Sequence, residues 1–141
     1  MAKLKKQHMT IHWKAIVQDD SSIPATEATL KEKATLVGRI GLMMLSVGTG
    51  AWRVRNSMNK VARCLGITCT ADIGLLAISY TCIEGTDTYT QSISNPTTGV
   101  NTHKLMQLEL FMKEFPDKVS SYSVKHMHEV LDENQKLPAT Y

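Results

Sequence analysis

Gly48-Thr49-Gly50 runs directly into Trp52, Arg53 and Arg55 in the stretch SVGTGAWRVRNSMNKVARCLGI. Glycines at a helix start can leave backbone N–H groups free for an anion, with the helix dipole and two guanidinium groups adding positive charge. The rest of a phosphate-binding motif is missing: no strand precedes these glycines, and neither the third glycine of a dinucleotide fingerprint nor the lysine of a P-loop is present. The stronger reading is a tight corner between two helices, where small residues allow close approach and Thr49 caps the second helix.

The other residues able to do chemistry fall short in similar ways. His126 and His128, in KHMHE, are two apart, so on a helix they point to different faces and cannot share a metal; two solvent-facing histidines are expected. Cys64, Cys69 and Cys82 are odd in number and lack C-x-x-C spacing, which excludes a disulfide framework or zinc knuckle. With no histidine or helix start beside them in sequence to lower a thiol pKa, they read as small packing residues. Asp19-Asp20, Asp72, Glu84, Asp87 and Asp132-Glu133 form no pair that sequence can tie to acid/base work, and are expected to cap, turn and solubilise. No catalytic residue, cofactor or metal is therefore assigned, and the chain is expected not to be an enzyme.

These residues must be positioned by a chain of 141 residues, 43% hydrophobic and 21% charged, which suits one ordinary domain with a real core. Sixteen Lys and Arg against thirteen Asp and Glu give a mild +3, part of it in the opening MAKLKKQH, too little and too dispersed to argue for nucleic acid. The N-terminus has lysines but no continuous apolar segment or small-residue cleavage site of a secretory signal. The longest apolar run, Leu36 to Trp52, holds Arg39 and four glycines and is shorter than the roughly 20 apolar residues of a membrane-spanning helix.

Residues 1–25 read as an extension and linker, in which TIHWKAIV has the period of two of a strand, and 26–141 as the folded domain. Leu30, Ala34, Val37, Gly41, Met44 and Val47 place one apolar stripe on a first helix that stops at Gly48. Ala51, Val54, Met58, Val61 and Leu65 repeat the spacing on a second helix, which Gly66 ends. The period then switches to two: TCTADI, LLAISYTCI and TYTQSI read as antiparallel strands, with a turn at Gly85. SNPTTG breaks the sheet and Asn101 is placed to cap a third helix carrying Leu105, Leu108, Met112 and Phe115, which Pro116 closes. A fourth begins near Ser120 to Ser123 and carries Val124, Met127 and Leu131. The class is α+β: a helical hairpin, a three- or four-stranded antiparallel sheet, then two C-terminal helices.

The order and spacing of VGTGAWRV (Val47 to Val54), CLG (Cys64 to Gly66) and GVNTHKL (Gly99 to Leu105) resemble the N-terminal hydrophilic domain of the threonine/serine exporter family of bacterial membrane transporters, over roughly Thr29 to Tyr141. Arg55 and Asn56 stand where that family commonly has acidic residues, and TADIG where it has a proline-containing segment. The resemblance implies a cytoplasmic domain at the membrane face that gates, assembles or regulates a transmembrane part in the same or a separate chain. It implies export of threonine and serine driven by the proton gradient in the full transporter. The sequence stops at KLPATY before any hydrophobic bundle, so transport is not expected from these residues alone, whether they are an excised segment, a truncated product or one piece of a split system. Gly48, Gly50, Trp52, Arg53, Arg55 and Asn101 form the candidate interaction or ligand surface; threonine or serine binding and a homo-oligomer stay open, and nucleic acid is not a partner. The alternative is a small hydrolase-like or amino-acid-sensing domain using the cleft near Trp52 to Arg55, which a pocket joining Arg53, Arg55 or Asn101 to a His or Cys would favour.

Overall fold

The computed structural model describes residues 23–47, 49–74, 77–94 and 102–135. The strand-like TIHWKAIV lies outside them. A 3₁₀ turn, Ala25–Glu27, leads into α1 (Leu30–Ser46) and α2 (Ala51–Cys64); β1 (Thr68–Ile73), β2 (Ala77–Glu84) and β3 (Asp87–Ser94) follow, then α3 (Thr102–Lys118) and α4 (Val124–Gln135). The α+β order expected from the periodicity is the one the chain adopts, and among the described residues the sheet has three strands, in the order β1-β2-β3.

Local chemistry sets the element ends. Thr29 accepts from the Glu32 backbone N–H at 3.2 Å, and the Glu32 carboxylate accepts from the Thr29 N–H at 3.2 Å, a reciprocal capping box that starts α1. At the end of α2, Ile67 N–H donates to the Ala62 carbonyl and Gly66 N–H to that of Arg63, at 2.9 and 3.0 Å. This double closure needs a left-handed residue, and Gly66 supplies it with φ of 78°. The β2–β3 hairpin has the two-residue loop Gly85-Thr86, in which Gly85 alone takes a positive φ, 64°.

α1 departs from the expected single stripe, since every residue from Lys33 to Leu45 is buried. The sheet and α2 cover one side of this helix, and α3 and α4 the other. A helix enclosed on all sides has no polar face, so its polar residues must find partners. Lys33 donates to the Glu84 carboxylate on β2 at 2.6 Å, while Thr35 and Arg39 meet α4. Along the strands, Cys69, Ile78, Tyr80, Cys82 and Ile93 are buried against the helices, whereas Thr70, Asp72, Ser79, Thr88, Thr90 and Ser92 are exposed. Tyr80 donates its hydroxyl to the Ala34 carbonyl at 2.8 Å, tying the sheet to α1.

One expected boundary shifts, and another is fixed more closely. Pro116 lies inside α3 rather than after it. Its missing N–H removes one ladder bond in the last turn, but Val119 N–H still reaches the Phe115 carbonyl at 3.0 Å, so the turn closes around the proline. α4 starts one residue after Ser123, whose hydroxyl accepts from the His126 N–H at 3.1 Å. The C-terminal turn is also joined to the start of the described chain, because buried Ala25 donates its N–H to the Tyr122 carbonyl at 2.7 Å.

Candidate functional site

Gly50 is the N-cap of α2, with φ of −70° and ψ of 159°, extended backbone open to any residue. A Cβ added there meets nothing within 4 Å, so neither turn strain nor close packing demands this glycine. The close approach of the helical pair occurs at Gly41 instead, where a Cβ would stand 2.5 Å from Met58 Sδ. Thr49 does not cap α2 as expected: its hydroxyl and N–H both donate to the Met44 carbonyl, at 2.8 and 3.3 Å, closing the end of α1. The hydroxyl is used on the helix behind it, and the N-cap of α2 makes no side-chain hydrogen bond. Gly48 and Asn101 lie outside the described residues.

Trp52, Arg53 and Arg55 project outward on the first turns of α2, while Val54 and Met58 turn into the core. Trp52 is 66% exposed. Arg53 reaches Glu109 on α3 at 3.4 Å; with both side chains about half exposed, the pair is worth only about 0–1 kcal/mol. Arg55 makes no ion pair among the described residues. Met106 and Leu110 flank Glu109 on α3 and are 65% and 53% exposed. Positions 106, 109 and 110 share one helix face. The Arg53–Glu109 contact thus joins two helices that each hold large apolar side chains out in water. The α3 half of this surface was missed in the sequence, although Met106 and Leu110 fall off the Leu105, Leu108, Met112, Phe115 stripe, which was the available signal.

A separate polar cluster is buried between α1 and α4. His126 is half exposed, as expected, but His128 is fully buried, contrary to the solvent-facing reading. Arg39 Nη1 lies 3.1 Å from both His128 Nδ1 and the His128 carbonyl oxygen, and Nη2 pairs with the Asp132 carboxylate. Since a guanidinium only donates, Nδ1 must be the acceptor and Nε2 carries the proton. Nε2 then donates to Thr35 Oγ1 at 2.9 Å, and the Thr35 hydroxyl donates to the Glu32 carbonyl at 2.6 Å. Burial first, and the Arg39 charge second, push the His128 pKa down to about 2, so the ring is a neutral structural link. Buried and beside a cation, the imidazole stays neutral near neutrality, and its hydrogen bonds make the cluster a clamp between α1 and α4.

The cysteines are free; Cys69 and Cys82 are buried and Cys64 half-buried, in keeping with packing roles. A cavity of about 720 Å³ beside α2 is lined by Asn56, Asn59, Lys60, Arg63, Ile67, Thr68 and Cys69. It brings a cysteine to basic residues, but Arg53 and Arg55 are not among its walls. Among the described residues no three metal-ligating side chains cluster, and no helix is long and apolar enough to cross a membrane.

The class so defined is an α+β domain with a buried central helix, a three-stranded sheet and a mixed apolar and charged surface on α2 and α3. The family model described as "Putative threonine/serine exporter" matches residues 35–141, more than half of the sequence. The chain belongs to the threonine/serine exporter family. No curated protein and no solved structure matches it.

Proposed function

We propose that this chain forms the hydrophilic part of a threonine/serine exporter and stands at the cytoplasmic face of a bacterial membrane. There it gates, assembles or regulates the membrane-spanning part, in the same or a separate chain, which moves the amino acid with the proton gradient. It is a docking and control element without enzymatic activity, and it transports nothing alone. The observation that carries this reading is the family match across α1 to α4. Trp52, Met106 and Leu110 support it, since large exposed apolar side chains around a charged pair suit a protein contact.

The test is to co-produce the chain with the hydrophobic bundle of a family exporter and follow co-purification and threonine efflux. Arg55→Glu and Leu110→Asp are expected to leave the circular dichroism spectrum intact while reducing both readouts several-fold. Folded variants that co-purify and support efflux like the parent would overturn the docking surface.

A further inference from the structure

Cys69 and Cys82 face each other directly in the antiparallel β1–β2 register. The kind of site they occupy follows from the ladder. Gly74 N–H donates to the Ala77 carbonyl at 2.8 Å, so that opposed pair is hydrogen-bonded. Opposed pairs alternate in type along an antiparallel ladder. Counting back through Ile73/Ile78, Asp72/Ser79, Ala71/Tyr80 and Thr70/Thr81 puts Cys69/Cys82 at a non-hydrogen-bonded site. The β2–β3 ladder agrees: the two-residue turn closes at the Glu84/Asp87 pair, so two positions on, Cys82 turns its backbone groups toward Tyr89 and away from β1.

At such a site opposed Cα atoms are about 4.5 Å apart with side chains drawn together. A disulfide spans Cα separations of about 4.4–6.8 Å, so this one can close without moving the strands. Both side chains are on the buried face of the sheet, which keeps other thiols away. Cys69 nevertheless forms part of the wall of the cavity beside α2, together with Lys60 and Arg63, so a small molecule has a route to one of the two sulfurs. Hydrogen bonding from the Cys82 thiol holds Cys69 below the ordinary cysteine range, whereas the same contact and burial push Cys82 up. The partner with a path to solvent is therefore the better nucleophile.

We propose that Cys69 and Cys82 are a modifiable dithiol, which a small hydroperoxide entering through the cavity closes to a cross-strand disulfide. In the first step the Cys69 sulfur attacks the peroxide; the S–O bond forms, the O–O bond breaks, and the departing alkoxide or hydroxide takes a proton. In the second, Cys82 Sγ attacks the Cys69 sulfenic acid; the S–S bond forms and the S–O bond breaks, and water leaves with the Cys82 proton. Two thiols are oxidised by two electrons and the hydroperoxide is reduced to an alcohol (or water) and water. Cys64 takes no part, because burial raises its thiol and its place at the end of α2 pairs it with no strand partner.

The experiment treats the full chain with hydrogen peroxide or tert-butyl hydroperoxide and reads intact mass and alkylated peptides. The parent and Cys64→Ser are expected to lose two hydrogen atoms, to yield a Cys69–Cys82 linked peptide, and to recover with dithiothreitol. Cys82→Ser should stop at a sulfenic acid trapped by dimedone at Cys69. Should Cys82→Ser fail to fold, the Cys64→Ser result decides alone, since that variant holds only the two sulfurs in question. Oxidation of the parent confined to Cys64, links between chains only, or a Cys64→Ser protein that keeps both thiols free would overturn the proposal.

Discussion

Replacing His128 with Gln tests the buried clamp between α1 and α4 through its pH dependence. Gln can still accept from Arg39 and donate to Thr35, but it has no proton to gain. In the parent, burial and the Arg39 charge hold the folded-state pKa down at about 2, against 6.5 for an ordinary histidine. Below pH 6.5 the unfolded chain therefore binds a proton that the folded chain refuses, and stability falls as pH falls through the window from 6.5 to about 2. The slope approaches about 1.4 kcal/mol per pH unit, and between pH 7 and pH 5 the loss from this one group is about 2 kcal/mol. Arg39 and Asp132 are common to parent and variant and cancel in the difference. The assay is urea unfolding followed by circular dichroism at half-unit steps from pH 7 to pH 5. His128→Gln should cost about 1 kcal/mol or less at pH 7, since the hydrogen bonds are largely kept, and as the pH falls it should overtake the parent at a crossing above about pH 5.5. Parallel stability curves for the two proteins would refute the assignment of a buried, neutral imidazole.

Two further substitutions probe the helical framework. Gly41→Ala forces Met58 out of its present position, because the new Cβ would sit 2.5 Å from Sδ and 2.8 Å from Cγ; the expected cost is about 1–3 kcal/mol in denaturant unfolding. Thr29→Ala removes half of the capping box and should lower stability by about 1 kcal/mol, seen as a lower melting temperature without a change in helix content at 25 °C.

The order of helices and strands was legible because period and punctuation agree: Gly66 and Gly85 both take the positive φ that their places at a helix end and a hairpin require. Periodicity shows which residues share a stripe, yet it is silent on what packs against the other side. The first helix shows this: one apolar stripe could be read from its spacing, while the burial of Lys33, Thr35 and Arg39 off that stripe comes from the sheet and α4 packing against its other sides. His128 was misread for the same reason, its partners being 89 and 93 residues away in sequence. Thr49 was placed on the wrong helix because a hydroxyl in a short connector can serve either end, and in the folded chain it closes on Met44 behind it and not on α2 ahead. Pro116 misled because a proline in the last turn deletes a bond that the helix can spare. At the candidate surface Trp52, Arg53 and Arg55 could be named from sequence, but Glu109, Met106 and Leu110 required knowing that α3 lies beside α2.

A cylinder that is apolar on every side can turn about its own axis and lose little buried area, so hydrophobic packing alone fixes its rotational phase weakly. The first helix escapes that degeneracy through its three enclosed polar residues. At 100° per residue, Thr35 and Arg39 lie roughly 200° and 240° around from Lys33. Lys33 engages β2 on one side, and the other two engage α4 on the opposite side. Rotating the helix in either sense would break both attachments at once and strand charges in a dry interior. Lys33, Thr35 and Arg39 therefore act as indexing pins that fix the rotational phase of the helix between the sheet and α4.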